Sequence, residues 1–308
     1  MTLSRWDSAS IRGQIESKVW TASTTVRRYL HGLASGHPDC DWPTWVRAKH
    51  LPSSIDKLLV LGCGSGWLER ALFQKGGIHA ITACDAAAAA VQEARDQATD
   101  QKLPIHYEVV DLERELPGHG YDVIVANDVL HHITNLEELY VRILNALNPG
   151  GLFVFAEYVG PNRFQYSNAQ MDIINRYMRL LPDRLRFDPC LKITLRRKER
   201  ITIEKMMADD PTEAVRSEDV LPLARSMFDV IAEYPYGGSL LNPLLYEIIV
   251  NFREEDPGDR RLLEILCEVE DRLIRAGDLA ADFCIFVGSR PVEASALGRE
   301  LEERHVPV

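Results

Sequence analysis

The chain has 308 residues, a hydrophobic fraction of 46% and a formal charge of −11. That length and apolar content suit one large α/β domain or two smaller ones. The acidic balance argues against a general nucleic-acid or anionic-membrane binder, which needs a basic face; no apolar run is long enough to cross a bilayer, and the opening MTLSRWDSASIRGQ holds no apolar signal core.

Six cysteines are scattered without a C-x-x-C pair or zinc spacing. Cys63 and Cys84, in apolar-flanked segments, predict buried thiols, and the set as a whole predicts a reducing, cytoplasmic setting and no metal site. Residues 1–54 are expected to form a helical extension carrying Trp20, Tyr29, Trp42 and Trp45, aromatics that look exposed and suit a lid. DKLLVLG (56–62) is an apolar run ending in glycine, as a buried parallel strand would. WLERALFQKGG then has helical spacing and a Gly-Gly stop. IHAITACD (78–85) predicts a second strand, AAAAAVQEARDQATD (86–100) a helix, IHYEVVD (105–111) a third strand and YDVIVAND (121–128) a fourth. LEELYVRILNALNPGG predicts an amphipathic helix closed by Pro-Gly-Gly, and LFVFAEY (152–158) a fifth strand. Residues 160–216 look largely helical, an insertion suited to capping a substrate. Strands at 227–236 and 281–290 flank helices in 240–252 and 258–276, and 291–308 is a tail. The alternation predicts an α/β, Rossmann-like, doubly wound sheet over 55–290, seven-stranded and mostly parallel with an antiparallel last strand.

The first strand runs into Gly62-Cys63-Gly64-Ser65-Gly66, then a helix. Such a turn offers backbone N–H groups and a helix N-terminus to a ligand. The dinucleotide pattern G-x-G-x-x-G is broken by Trp67 at its third glycine place, which disfavours a nicotinamide oxidoreductase. Asp85 lies about twenty residues on, where an acid can bind ribose hydroxyls. A tight turn without a ligand is the bland alternative.

VLGCGSG, ACD, VVDLE, YDVIVANDVLHHITNLEEL and LNPGGLFVFAEY, in that order and spacing, resemble a class I S-adenosylmethionine-dependent methyltransferase over residues 56–157. EYVGPNRFQYS, EAVRSEDVLP and YPYGGSLL further resemble a bacterial subgroup that modifies carbohydrates or small metabolites. The resemblance implies S-adenosyl-L-methionine as cofactor. It implies that Gly62, Cys63, Gly64, Ser65 and Gly66 run under the methionine part and that Asp85 holds both ribose hydroxyls. Asp111 and Leu112 would border the adenine, and Asn127 and Asp128 the amino-acid part. Val60 stands where the family often has an acid, so the cofactor ammonium needs another acceptor, such as Asp128. A cofactor binder that does not transfer methyl, or that rearranges its substrate, fits the same motifs. A nucleic-acid methyltransferase is opposed by the acidic charge and by NDVLHH where N/D-P-P-Y/F is expected.

Methyl transfer needs a nucleophile in line with the S–CH₃ bond, and a hydroxyl acceptor gains from a general base. Glu157, closing the fifth strand, and His131 or His132, after the fourth, are the catalytic candidates. Neighbouring histidines do not share a helix face, so at least one of them is expected to pack or cap. Arg163, Gln165 and Tyr166, with Tyr29 and Tyr236, are candidate contacts for a small-molecule substrate; each also suits plain packing. RLRFDPCLKITLRRKER (184–200) is a basic cluster, either a solvated face or a phosphate contact.

Overall fold

The computed structural model describes residues 18–291; residues 1–17 of the expected extension and 292–308 of the tail lie outside them. Seven strands form one sheet: β1 (Ile55–Leu61), β2 (Ile78–Asp85), β3 (Ile105–Val109), β4 (Tyr121–Asn127), β5 (Leu147–Tyr158), β8 (Asp229–Pro235) and β9 (Phe283–Ser289). A two-residue pair, β6 (Phe187–Asp188) and β7 (Ile193–Thr194), stands apart. The sheet order is β3-β2-β1-β4-β5-β9-β8. The first five strands are parallel, and β9 is antiparallel to both β5 and β8. This is the expected Rossmann-like, doubly wound sheet.

The strands are apolar on both faces because both faces are covered. Leu58 and Val60 of β1 enter one core, with α2 (Trp42–Lys49), α3 (Trp67–Gln74) and α4 (Ala88–Asp100). Leu59 and Leu61 point the other way, to α5 (Leu136–Ala146) and α8 (Ser217–Met227). This is the two-residue alternation of a strand. A third core joins α1 (Thr24–Ser35), α6 (Asn168–Met178), α9 (Leu241–Leu245) and α10 (Pro257–Ala276) at the side of the sheet.

Local differences from the sequence reading have plain causes. Pro149-Gly150-Gly151 does not end the structured stretch: β5 starts at Leu147, and an irregularity lets Tyr121 pair with Leu147 and Val123 with Leu152. The insertion is less helical than expected, holding α6, α7 (Ile203–Asp209) and the β6–β7 pair. The N-terminal aromatics are not exposed. Trp20 is 4% exposed and packs on Phe283, and Trp45 meets Tyr234 edge-on at 4.4 Å. The basic cluster of 184–200 is largely used internally. Arg184 pairs with Asp259, Arg186 with Asp183, and Arg200 holds the Tyr166 carbonyl. No helix among the described residues is long and apolar enough to cross a membrane.

Candidate functional site

β1 is the point where the strand order reverses, with β2 on one side and β4 on the other. Ligands of open α/β sheets bind beyond the strand ends at such a switch. There the chain turns through Gly62, Gly64 and Gly66 with φ of 65°, 52° and 84°, a region that only glycine enters at little cost. Three backbone donors hold the turn: Cys63 N–H to the Cys84 carbonyl (3.0 Å), Gly64 N–H to Asp85 Oδ2 (2.9 Å) and Ala87 N–H to Asp85 Oδ1 (2.8 Å).

The three glycines serve different neighbours. A Cβ at Gly62 would stand 2.5 Å from Val129 Cβ. At Gly66 it would stand 2.6–2.8 Å from Arg70, Glu69 and Ala94. At Gly64 it would meet nothing within 4 Å. Gly62 and Gly66 therefore make room for the protein, and Gly64 alone faces open space where a ligand can lie. This corrects the expectation that all three clear a path for a cofactor. Cys63 can offer only backbone there, because its side chain is buried.

Asp85 is half-buried at the end of β2. Each of its oxygens accepts one backbone N–H and keeps a lone pair. Asp111, after β3, accepts from Glu113 N–H at 3.1 Å and faces Arg114 at 3.4 Å. Leu112 is 5% exposed and belongs to the core on the α5 side. Asn127 ends β4 and donates from Nδ2 to Asp128 Oδ2 at 3.0 Å. Asp128 itself has φ 49°, and its N–H donates to the Ala156 carbonyl at 3.1 Å.

Behind that edge stands Glu157, fully buried. Its Oε1 accepts from the N–H groups of Val129 (2.5 Å) and Leu130 (2.7 Å), and Oε2 lies 2.8 Å from His131 Nδ1. Sequence reasoning placed Glu157 among groups that touch substrate. The structure corrects this: its carboxylate is spent on the turn after β4, and it acts through His131. His131 Nε2 points the other way, 3.5 Å from Glu213 Oε1. Burial alone would lower the His131 imidazole. Glu157 against it, with Glu213 and Asp128 near, lifts it instead to about 9. His132 moves oppositely: burial and the neighbouring His131 lower it. Dense surroundings and the charge of Glu157 raise the Asp128 carboxyl, although its side chain reaches solvent.

Glu213 is a site residue that sequence reasoning did not name. It sits on an irregular loop, and two hydrogen bonds pin that loop to the sheet edge: Val215 N–H to the His131 carbonyl (3.0 Å) and Arg163 N–H to the Ala214 carbonyl (2.7 Å). Ala214 has φ 47°, strain that a non-glycine residue carries only where its surroundings enforce it.

The expected substrate contacts are placed unequally. Arg163 clamps the Glu213 loop, donating from Nη1 to the Glu213 carbonyl at 3.0 Å. Gln165 ties Arg163 to Ile201 through their carbonyls. Tyr166 is 7% exposed and packs with Phe164. Tyr29 belongs to the third core, with a buried hydroxyl on the side of Glu270. Of these four, Tyr166 and the Tyr29 hydroxyl are buried among neighbours, while the half-buried Arg163 and Gln165 hold loop carbonyls. Tyr236 is half-buried, packs on Phe283 at 5.7 Å and has Asp128 and Glu157 near it. Among the described residues, two groups of three could hold a metal ion by proximity: His131, His132 and Glu213, and Asp188, Cys190 and Glu247.

Residues 59–155 match the family model described as a methyltransferase domain. That match spans about a third of the chain. The chain's cofactor is S-adenosylmethionine. Over 112 residues the chain is 34% identical to the hybrid PKS-NRPS synthetase apdA of Emericella nidulans, covering 34% of this chain and 3% of that one. It is 28% identical over 116 residues to a ubiquinone biosynthesis O-methyltransferase of Coxiella burnetii, covering 36% and 49%. The chain thus spans about half or less of the length of these curated relatives. In fold it is similar to a phospholethanolamine N-methyltransferase 2 from Haemonchus contortus, with TM-score 0.51, 15% identity and coverage of 88% of this chain and 57% of that one. The crevice fits the cofactor of such a domain. It has an open face at Gly64, a carboxylate for a ribose diol in Asp85, and an acidic edge at Asp128 for a cation.

Proposed function

We propose that this protein transfers the methyl group of S-adenosylmethionine to a small-molecule acceptor, with a hydroxyl oxygen as the favoured nucleophile. One observation carries the reading. The open face at Gly64 and the Glu157–His131–Glu213 cluster meet at the same edge of the sheet, because β1, β4 and β5 end side by side. The O-methyltransferase name of the Coxiella relative supports an oxygen acceptor.

The cofactor supplies a methyl on a sulfonium sulfur, an electrophile that needs a nucleophile held in line. Gly64 and Ser65 would lie under its methionine part, and Asp85 would accept from the ribose hydroxyls. Asp111 and Leu112 would border the adenine. Asn127 and Asp128 would take the amino-acid end, since Val60 offers no carboxylate. Glu157 fixes the ring of His131 and balances its charge. The acceptor proton would leave toward the wall made by His131, His132 and Glu213. Environments that drive two neighbouring imidazoles apart are the kind that assign acid and base roles, and His131 and His132 are driven apart here.

The test is methyl transfer from labelled S-adenosylmethionine to a panel of hydroxylated metabolites, read as S-adenosylhomocysteine and methylated product. Product with a hydroxylated acceptor is expected. Failure to bind S-adenosylhomocysteine in calorimetry would overturn the reading, and binding without turnover on any acceptor would favour a non-transferring or rearranging protein of this fold.

A further inference from the structure

We infer that His131, His132 and Glu213 form a binding site for a divalent transition-metal ion of the zinc class, placed on the acceptor side of the proposed methyl-transfer site. A ring nitrogen of each histidine and a carboxylate oxygen of Glu213 lie within 4.8 Å of one another. The inference rests on the methyl-transfer reading for its use, and on the geometry alone for its existence.

Three features make this more than proximity. First, the His131 ring is set by an outer partner. Its Nδ1 faces Glu157 Oε2 at 2.8 Å, which directs Nε2 toward Glu213. Second, His132 Nδ1 lies 3.2 Å from Thr212 Oγ1. Thr212 donates its hydroxyl hydrogen to Asp210 Oδ1 at 2.7 Å, so toward His132 Nδ1 it acts as an acceptor and fixes the orientation of the ring. A metal-binding histidine characteristically donates its other ring N–H to a carboxylate, carbonyl or similar acceptor, which fixes tautomer and orientation. Both histidines follow that arrangement, through partners on different segments. Third, the loop bearing Glu213 holds a left-handed alanine and two cross-links to keep its place.

Two imidazoles and one carboxylate suit zinc and its neighbours Fe²⁺, Co²⁺ and Mn²⁺ better than calcium, which takes oxygen ligands. Metal–nitrogen bonds of about 2.0–2.1 Å put neighbouring donors roughly 3.3 Å apart, so the three atoms, which lie within 4.8 Å of one another, would draw together on binding. Three protein ligands leave a position open, as catalytic zinc sites do. In that position an acceptor hydroxyl would bind and lose its proton more easily. No motif announces this site, because Glu213 follows His132 by eighty-one positions and no ligand spacing links them.

The experiment uses the full chain after exhaustive chelation and dialysis. Zn²⁺ or Co²⁺ alone is titrated by calorimetry, and the Co²⁺ visible spectrum is recorded. Cys190→Ser serves as the background, so that the Asp188–Cys190–Glu247 group cannot account for the signal. One equivalent is expected to bind in that background with a visible cobalt spectrum. His132→Ala and Glu213→Gln should abolish that spectrum. Thr212→Val should weaken the affinity about 10–100-fold, the usual cost of an outer-shell partner. No binding of Zn²⁺, Co²⁺ or Mn²⁺ up to millimolar concentration would overturn the proposal. So would binding that all three variants leave unchanged. S-adenosylhomocysteine binding is measured on each variant in parallel. It confirms that the variant is folded, and it separates a missing metal from a failure of the methyltransferase reading.

Discussion

Replacing Gly62 and Gly64 by alanine, one at a time, should divide stability from cofactor binding. Both residues have left-handed φ, so each alanine costs about 1–2 kcal/mol in the backbone alone. At Gly62 the new methyl would also stand 2.5 Å from Val129 Cβ, 2.6 Å from Cγ2 and 2.9 Å from Cγ1. Overpacking of that kind adds about 1–3 kcal/mol. Gly62→Ala should therefore lose roughly 2–5 kcal/mol in denaturant unfolding. Because the nearest atom is Cβ, Val129→Ala should not rescue it, whereas Val129→Gly should restore part of the loss. Gly64→Ala meets no neighbour within 4 Å and should show only the backbone cost. Its methyl points into the crevice, however, and S-adenosylhomocysteine affinity should fall at least about tenfold, or 1.4 kcal/mol. Wild-type affinity in Gly64→Ala would refute the placement of the ligand over that residue. Wild-type stability in Gly62→Ala would refute the argument from Val129.

Three further outcomes are expected. Asp85→Ala removes the acceptor of two backbone N–H groups as well as the proposed ribose partner, and should weaken S-adenosylhomocysteine binding by about 1.5–3 kcal/mol in calorimetry. Glu157→Gln should lower kcat about 10–100-fold while S-adenosylhomocysteine affinity holds, since the carboxylate acts through His131 and touches no ligand; equal losses in both would show a collapsed edge instead. Asp282 is 5% exposed, and burial raises its carboxyl from 3.8 to about 7 despite the hydrogen bond from Gln170. A raised carboxyl favours the protonated folded state, so its stabilisation is full below about pH 4 and is lost as pH rises to about 7, by roughly 4 kcal/mol at 1.36 kcal/mol per unit. Unfolding of wild type and Asp282→Asn at pH 4.5 and 7.5 should therefore diverge with rising pH in favour of Asn, and parallel curves would refute the shift.

The sheet was legible because parallel strands covered on both faces must be apolar throughout, as Leu58 to Leu61 are. The turn at Gly62–Gly66 was legible as a motif, but its division of labour was not. What a Cβ would meet at Gly62 depends on Val129, sixty-seven positions away, and no local pattern encodes that contact. Glu157 was found as a residue and misread as a role. An acid at a strand end looks available until the three donors of the turn at 129–131 are seen to surround it. Glu213 opens the stretch EAVRSEDVLP, whose resemblance was noticed. Its chemistry stayed hidden because an acid on an irregular loop gains meaning only from the histidine it faces. The same holds for Arg163, which looked like a substrate cation until the Glu213 and Ala214 carbonyls claimed it.

Val60 shows how the edge compensates for a missing acid. It is fully buried in β1 between Ala83 of β2 and Val125 of β4, so a carboxylate there would carry a desolvation cost that valine avoids. Acidity is supplied instead one strand over. Asp128 takes a left-handed conformation, its N–H is held by the Ala156 carbonyl, and Asn127 donates to its carboxylate. Its dense surroundings first, and then Glu157 behind it, make a second negative charge unwelcome and raise the Asp128 carboxyl. A cation bound at Asp128 would relieve that repulsion, so the ionised form and the bound ligand favour each other. In the proposed reading the cofactor ammonium is that cation. Positive charge at His131, whether its second proton or the metal ion proposed beside it, offsets Glu157 from the other side, and both carboxylates can then persist at one sheet edge without a further one in β1.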